Sequence, residues 1–251
     1  MSLSNLIIPS FLALGIVVLS YIQDRKIFKE LFTSISRMIV QLTLLSYFLT
    51  WIFNFKDFKL VVVVLIVMTF NAAYNVKSRI DFKYPGLLLD NLLSLALTIW
   101  PLCFLGSLSM HETKMLEAPL LIPIMGMLLG NSLNGLSQGL NFFTKRLKEN
   151  KDDVLSLVAL GATTHEATKS LFLQSLRFGL GPNINAMISM GIVSIPGVMT
   201  GQLMAGMRPL EAVILQIIIM LLVITGTYLG LILALELAKK KYFNQRGEIC
   251  F

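Results

Sequence analysis

Seven long apolar runs decide the fold class. They extend from Asn5 to Gln23, Leu31 to Phe53, Leu60 to Tyr74, Pro85 to Leu105, Pro119 to Phe143, Asn183 to Gly206 and Pro209 to Leu237. A helix needs about 20 apolar residues to cross a bilayer, where each backbone N–H and C=O must find its partner inside the helix. The third run is the shortest and can span by tilting or by extending towards Asn75. Charged residues make up only 14% of the chain, against about 25% in soluble domains. The prediction is an all-α polytopic membrane protein of about seven transmembrane helices, forming a single embedded domain over residues 1–251.

Charge placement orients the runs. Arg25, Lys26, Lys29, Arg37, Lys77, Arg79 and Lys83 fall on one side, with the six cations between Lys145 and Arg177 and the tail cations Lys239, Lys240, Lys241 and Arg246. Lys56, Lys59, Lys114 and Arg208 fall on the other. Positive residues collect on the cytoplasmic side, so the C-terminus is expected inside and the N-terminus outside a plasma (cytoplasmic) membrane. An odd number of crossings agrees. The net charge of +7 therefore records topology, and no basic helix carries the interleaved aromatics of a nucleic-acid site. Cys103 lies in an apolar run and Cys250 in the basic tail, which predicts no disulfide and no metal cluster. The N-terminus lacks the positive region of a secretory signal and reads as a retained span.

Between Thr144 and Leu180 the apolar pattern stops for about 37 residues, and a cytoplasmic helical elbow is expected over 144–182. Gly161 suits a helix C-terminus, and Thr163 followed by Glu166 forms a capping box for the next helix. Arg177 in a last turn, with Gly179 and Gly181 beyond it, predicts the end of that second elbow helix. Two capped polar helices in an apolar chain suggest a docking surface for a soluble partner. Lys169-Ser170 resembles the end of a phosphate loop, but Thr168 stands where glycine is needed, so nucleotide hydrolysis by this chain is not expected.

Polar groups at membrane depth are the candidates for a substrate path. Asn131, Asn134, Gln138 and Asn141 recur at helical spacing on one stripe, with Gly130, Gly135 and Gly139 among them. Such a stripe either hydrogen-bonds neighbouring helices or lines a path. In the sixth run Pro196 is expected to kink or break a helix, with Gly197 and Gly201 at small-xxx-small spacing and Gln202 beside them. Asp90 is an ionisable residue near the start of the fourth run. Arg37 and Gln41 either line a vestibule or snorkel, and Glu211 complements a helix N-terminus. Met187, Met190, Met199, Met204 and Met207 are core filler or soft-metal ligands, poor for ferric iron. His111 and His165 stand isolated and support no catalysis.

The stretches LVALGATTHEA, GNSLNGLSQGLN and IPGVMTGQLMAGMRPLEAVILQ, together with RMIVQL, resemble the FetB family of ABC-transporter permeases. Bacterial members of that family are associated with iron export and plant relatives with aluminium tolerance. The resemblance implies a permease subunit, likened to an exporter of iron or another metal-linked solute and working as a pair. It also implies a separate ATP-binding-cassette ATPase that holds the ATP and magnesium, with no cofactor on this chain. It makes the elbow a coupling region, centred on Leu160, Gly161, Ala162, Thr163, Glu166 and Ala167. Importer permeases carry a Glu-Ala-Ala, three residues, Gly pattern there, whereas this chain has Leu155, Ser156 and Leu157 ahead of Gly161. The implied substrate path takes in Asp90, Asn131, Asn134, Gln138, Pro196, Gly197 and Gln202. The alternative is a gradient-driven carrier or channel acting without an ATPase.

Overall fold

The computed structural model describes residues 7–55, 57–109 and 117–243. Expectations that rest on Asn5, Lys56, His111, Lys114, Arg246 and Cys250 lie outside the described residues. What is described is helical: α1 (Ile7–Gln23), α2 (Arg25–Phe55), α3 (Phe58–Ser78), α4 (Leu87–Ser109), α5 (Ala118–Glu149), α6 (Lys151–Ala159), α7 (Thr164–Ser189), α8 (Gly197–Met204) and α9 (Pro209–Tyr242). By length and apolar composition α2, α3, α4, α5 and α9 can cross a membrane, and α1 is a shorter apolar helix. The all-α polytopic expectation holds.

Two compact units divide the chain at Lys56. In the first, α1 packs against α2, and Arg37 and Gln41 lie exposed on α2. The second contains α3 to α9. Its central helix is α5, whose 32 residues extend about 48 Å at 1.5 Å per residue. Leu121, Met125, Leu128, Leu136, Leu140 and Phe143 recur at helical spacing along α5 and are almost wholly buried. That face meets α7 and α9, and α3 and α4 complete the bundle.

Small residues set the tightest contact. A methyl group added to Gly179 of α7 would lie 2.6 Å from the Gly135 carbonyl oxygen of α5, and one added to Gly139 would lie 3.0 Å from that of Ser175. The Gly135/Gly139 ledge on α5 therefore faces a Ser175/Gly179 ledge on α7, with the two helices antiparallel. Close backbone approach of this kind replaces the hydrophobic drive that lipid cannot supply. The Leu231 side chain of α9 fills the notch between Gly139 and Gly179.

Two expectations for the second half of the chain are corrected. The helix that starts at Thr163 does not end at Gly179 or Gly181. It continues through Pro182 to Ser189, and its Asn183 amide donates to Thr227 Oγ1 at mid-α9 (3.0 Å). Gly179 is a contact residue here, not a helix terminator. At this depth a helix that stopped would leave backbone groups unsatisfied in hydrocarbon, which outweighs the local terminator signal. The sixth run is consequently not a helix from Asn183 to Gly206. The backbone breaks at Met190–Pro196, held by a bridge between Met190 and Ser194, and α8 follows with Pro196 as its N-cap. The expected kink or break at Pro196 takes the form of a break, in which the proline opens a short helix because its missing N–H is harmless at a helix start.

The hairpin into α9 follows expectation. Gly206 and Met207 donate their amides back to Leu203 and Gln202 to close α8, Pro209 opens α9, and Glu211 sits in its first turn.

The α5–α7 ledge predicts an asymmetry between glycines. Gly179→Val collides with backbone and should destabilise the fold by about 3 kcal/mol. Gly130→Ala meets nothing within 4 Å and should leave stability unchanged or raise it by up to about 1 kcal/mol. Thermal unfolding of the two variants in detergent, followed by tryptophan fluorescence, compares them directly.

Candidate functional site

The junction between α6 and α7 is built from local backbone chemistry. At the end of α6 the Gly161 amide donates to Val158 O and the Ala162 amide to Leu157 O, both at 3.0 Å. Such a Schellman closure needs a left-handed residue after the cap, and Gly161 supplies it at φ +97°. One residue later α7 begins. The Glu166 amide donates to Thr163 Oγ1 (3.2 Å), and the Thr163 amide donates to Glu166 Oε2 (2.8 Å). The Thr163 hydroxyl also donates to Glu166 Oε2. These bonds to Thr163 hold the Glu166 carboxyl below its ordinary range. A C-cap and a capping box back to back make a turn with little freedom, as the sequence predicts. Thr168-Lys169-Ser170 lies within α7, and the Thr168 hydroxyl donates to Thr164 O.

This stiff turn carries apolar side chains outward. Leu160 is 86% exposed and Leu157 45%, whereas Ala167 and Thr168, just inside α7, are buried. His165 ties the junction to the last turns of α9. Its Nδ1 lies 3.0 Å from Lys239 Nζ, which also pairs with Glu236 at 2.6 Å. A lysine ammonium has only donors, so the imidazole accepts there. Sequence reasoning treated His165 as isolated. Its partner is 74 residues away, and no local spacing encodes that.

The carboxamide stripe lies on the face of α5 turned away from the core. Asn134 and Gln138 are exposed, and Asn131 and Asn141 are half-buried. Asn131 donates to its own helix at Met127 O, Asn134 accepts from Arg79 (2.7 Å), and Asn141 accepts from the Asp81 amide (3.0 Å). The stripe thus binds the end of α3 and the loop after it, while Gly135 and Gly139 do the packing on the other face. Gly130 makes no close contact.

The remaining predicted path residues do not join that stripe. Asp90 is buried in the first turn of α4, where Asp90 Oδ2, the Tyr84 hydroxyl and both polar atoms of the Asn91 side chain lack hydrogen-bond partners. Burial, then the nearby Asp90 charge, push the Tyr84 phenol above its ordinary range. Pro196, Gly197 and Gln202 belong to α8, which packs on α9. Among the described residues no hydrogen bond links Asp90, the α5 stripe and α8 to one another, and no group of three or more His, Cys, Asp or Glu could hold a metal ion.

Sequence spacing also missed a buried polar knot at mid-bundle. Thr227 of α9 accepts from Asn183 of α7, lies 3.4 Å from Ser132 Oγ of α5, and donates to its own helix at Val223 O (2.8 Å). Three helices meet there at one hydroxyl.

Long apolar helices, with polar groups held on helices able to cross a membrane, define a polytopic integral membrane protein. A model described as Uncharacterised protein family (UPF0014) matches residues 3–243, and the chain belongs to that family. It is 26% identical over 248 residues to the Escherichia coli protein named probable iron export permease protein FetB, covering 98% of this chain and 93% of that one. The Synechocystis membrane protein slr1647 is 32% identical over 214 residues, 85% of this chain and 83% of its own. ALUMINUM SENSITIVE 3 of Arabidopsis thaliana is 29% identical over 233 residues, 93% and 84%. The expected FetB-family membership is thereby met. No solved structure matches.

The capping box has a defined pH response. Because the Glu166 carboxyl is held low in the fold, its contribution is complete above the ordinary carboxylate pKa of about 4.3 and is lost as pH falls through the lowered folded value. Hydrogen exchange at the start of α7 should accelerate in excess of its intrinsic pH trend over that interval. In Glu166→Gln the extra acceleration should vanish.

Proposed function

We propose that this chain is the permease subunit of an ATP-binding-cassette transporter, with ATP hydrolysed by a separate subunit docked at Leu157–Ala167. It has no catalytic role of its own in this reading. The observation that carries it is the junction just described: exposed leucines on a doubly capped turn that opens directly into α7. Because α7 is one helix from Thr164 to Ser189, a push on the turn is delivered along its length to the backbone break at Met190–Pro196. The basic residues at this end agree with a cytoplasmic location and a partner on that side of the plasma membrane.

The outward-facing carboxamides support a second element of the proposal. Polar groups on a lipid-facing surface cost several kcal/mol each when unpaired. A second copy of the chain, with a water-lined path between the two, accounts for Asn131, Asn134 and Gln138 on that face. The kinship with FetB supports an exported metal ion, iron foremost, or a metal-linked solute. Methionines near the break are poor ligands for ferric iron, so oxygen and nitrogen groups of the stripe are the better lining.

The test uses the chain in liposomes with its ATP-binding-cassette ATPase. Leu160→Asp combined with Leu157→Asp places charge on the docking surface, and because both residues give the α6 cap only backbone atoms, the capping hydrogen bonds stay. ATPase stimulation and ATP-driven metal efflux should fall about tenfold or more, as loss of an interface anchor does, with thermal stability unchanged. Unaltered stimulation would overturn the docking reading, and efflux without any ATPase would favour a gradient-driven carrier.

A further inference from the structure

A cleft of about 360 Å³ opens at the basic end of α3, α5 and α7, and its chemistry differs from that of the rest of the stripe. Arg79, from the end of α3, and Lys145, from α5, are its charged lining residues. Gln138 and Asn141 add carboxamides one turn apart, and Phe142 and Phe178 form its apolar wall as a stacked pair with ring centroids 5.0 Å apart. Among the described residues no carboxylate lines it. The neighbouring acid, Asp81, is engaged by Asn141, whose amide lies 3.4 Å from Asp81 Oδ2.

We propose that this cleft is a binding site for a phosphate-class oxyanion, borne by an anionic lipid headgroup or by a phosphorylated solute. Three observations carry it. The Arg79 guanidinium is fixed by its bond to Asn134 Oδ1 (2.7 Å), which leaves its other donors for a ligand in a preset fork. Lys145 forms no ion pair among the described residues and lines the same cleft as a second cation. The third is depth. Counting about 20 residues from Ala118 for the hydrocarbon core puts Gln138 at its inner boundary and Lys145 in the headgroup layer, where phosphates lie. A bare metal cation meets two like charges here and is disfavoured. The site does not depend on the transporter reading.

The experiment measures binding to the full chain in nanodiscs. In phosphatidylcholine discs, calorimetry with inorganic pyrophosphate tests the solute source. In discs doped with phosphatidylglycerol, retention of that lipid in native mass spectrometry tests the lipid source. One of the two should show saturable binding, weakened tenfold or more in Lys145→Gln and in Arg79→Gln but not in Lys240→Gln, a cation of the same basic end outside the cleft. Lys145→Gln removes no bond of the fold, so its loss of binding reads the site and not unfolding. Absence of both ligands from the wild-type chain, wild-type affinity in Lys145→Gln, or equal weakening in Lys240→Gln would each overturn the proposal.

Discussion

Backbone pressed against backbone, between Gly135/Gly139 of α5 and Ser175/Gly179 of α7, is the contact on which the rest of the large unit depends. Inside a bilayer an apolar side chain gains nothing by leaving lipid for a neighbouring helix, so association rests on dispersion and on interhelical hydrogen bonds. Both need close approach. The two ledges provide it, and Leu231 keys α9 into the notch they form. Once that face of α5 is committed inward, its other face must turn out. The carboxamide stripe is therefore exposed as a geometric consequence of the glycine ledge.

The same contact fixes the register of α7. Gly179 opposite Gly135 sets Asn183 against Thr227, which also meets Ser132 at mid-bundle, and it sets His165 beside Lys239 at the basic end. A single helix thus joins three places that matter: the capped turn, the buried polar knot and the edge of the backbone break. Its helical backbone runs from one end to the other, with one hydrogen bond of the ladder missing at Pro182. Over residues 190–196 the backbone leaves the helical ladder.

Local signals in this chain were reliable wherever the physics was local. Gly161, the Thr163–Glu166 box, Gly206 and Pro209 act within four residues of themselves, and each does in the structure what its type and spacing predict. Gly181 meets nothing within 4 Å, but Gly179 misled for an instructive reason. A glycine after a basic residue looks like a helix terminator, but between membrane helices the same absence of a side chain serves close packing, and only the facing helix distinguishes the two. Asp90 was legible as unusual, but its burial against Tyr84 and its separation from the stripe were not. His165 and Lys239 stand 74 residues apart, and Asn141 and Asp81 stand 60 apart. No periodicity connects such pairs.

By itself the sequence determined that this is a polytopic helical membrane protein, which end is basic, and where the capped turn must fall, because hydropathy, charge and capping act residue by residue. The tertiary structure alone decided that the second elbow helix is the start of a long helix running through the bundle, and that the carboxamide stripe faces outward with a cationic cleft at its basic end. Those outcomes follow from which small residues of one helix meet those of another. That is a property of pairs distant in the chain.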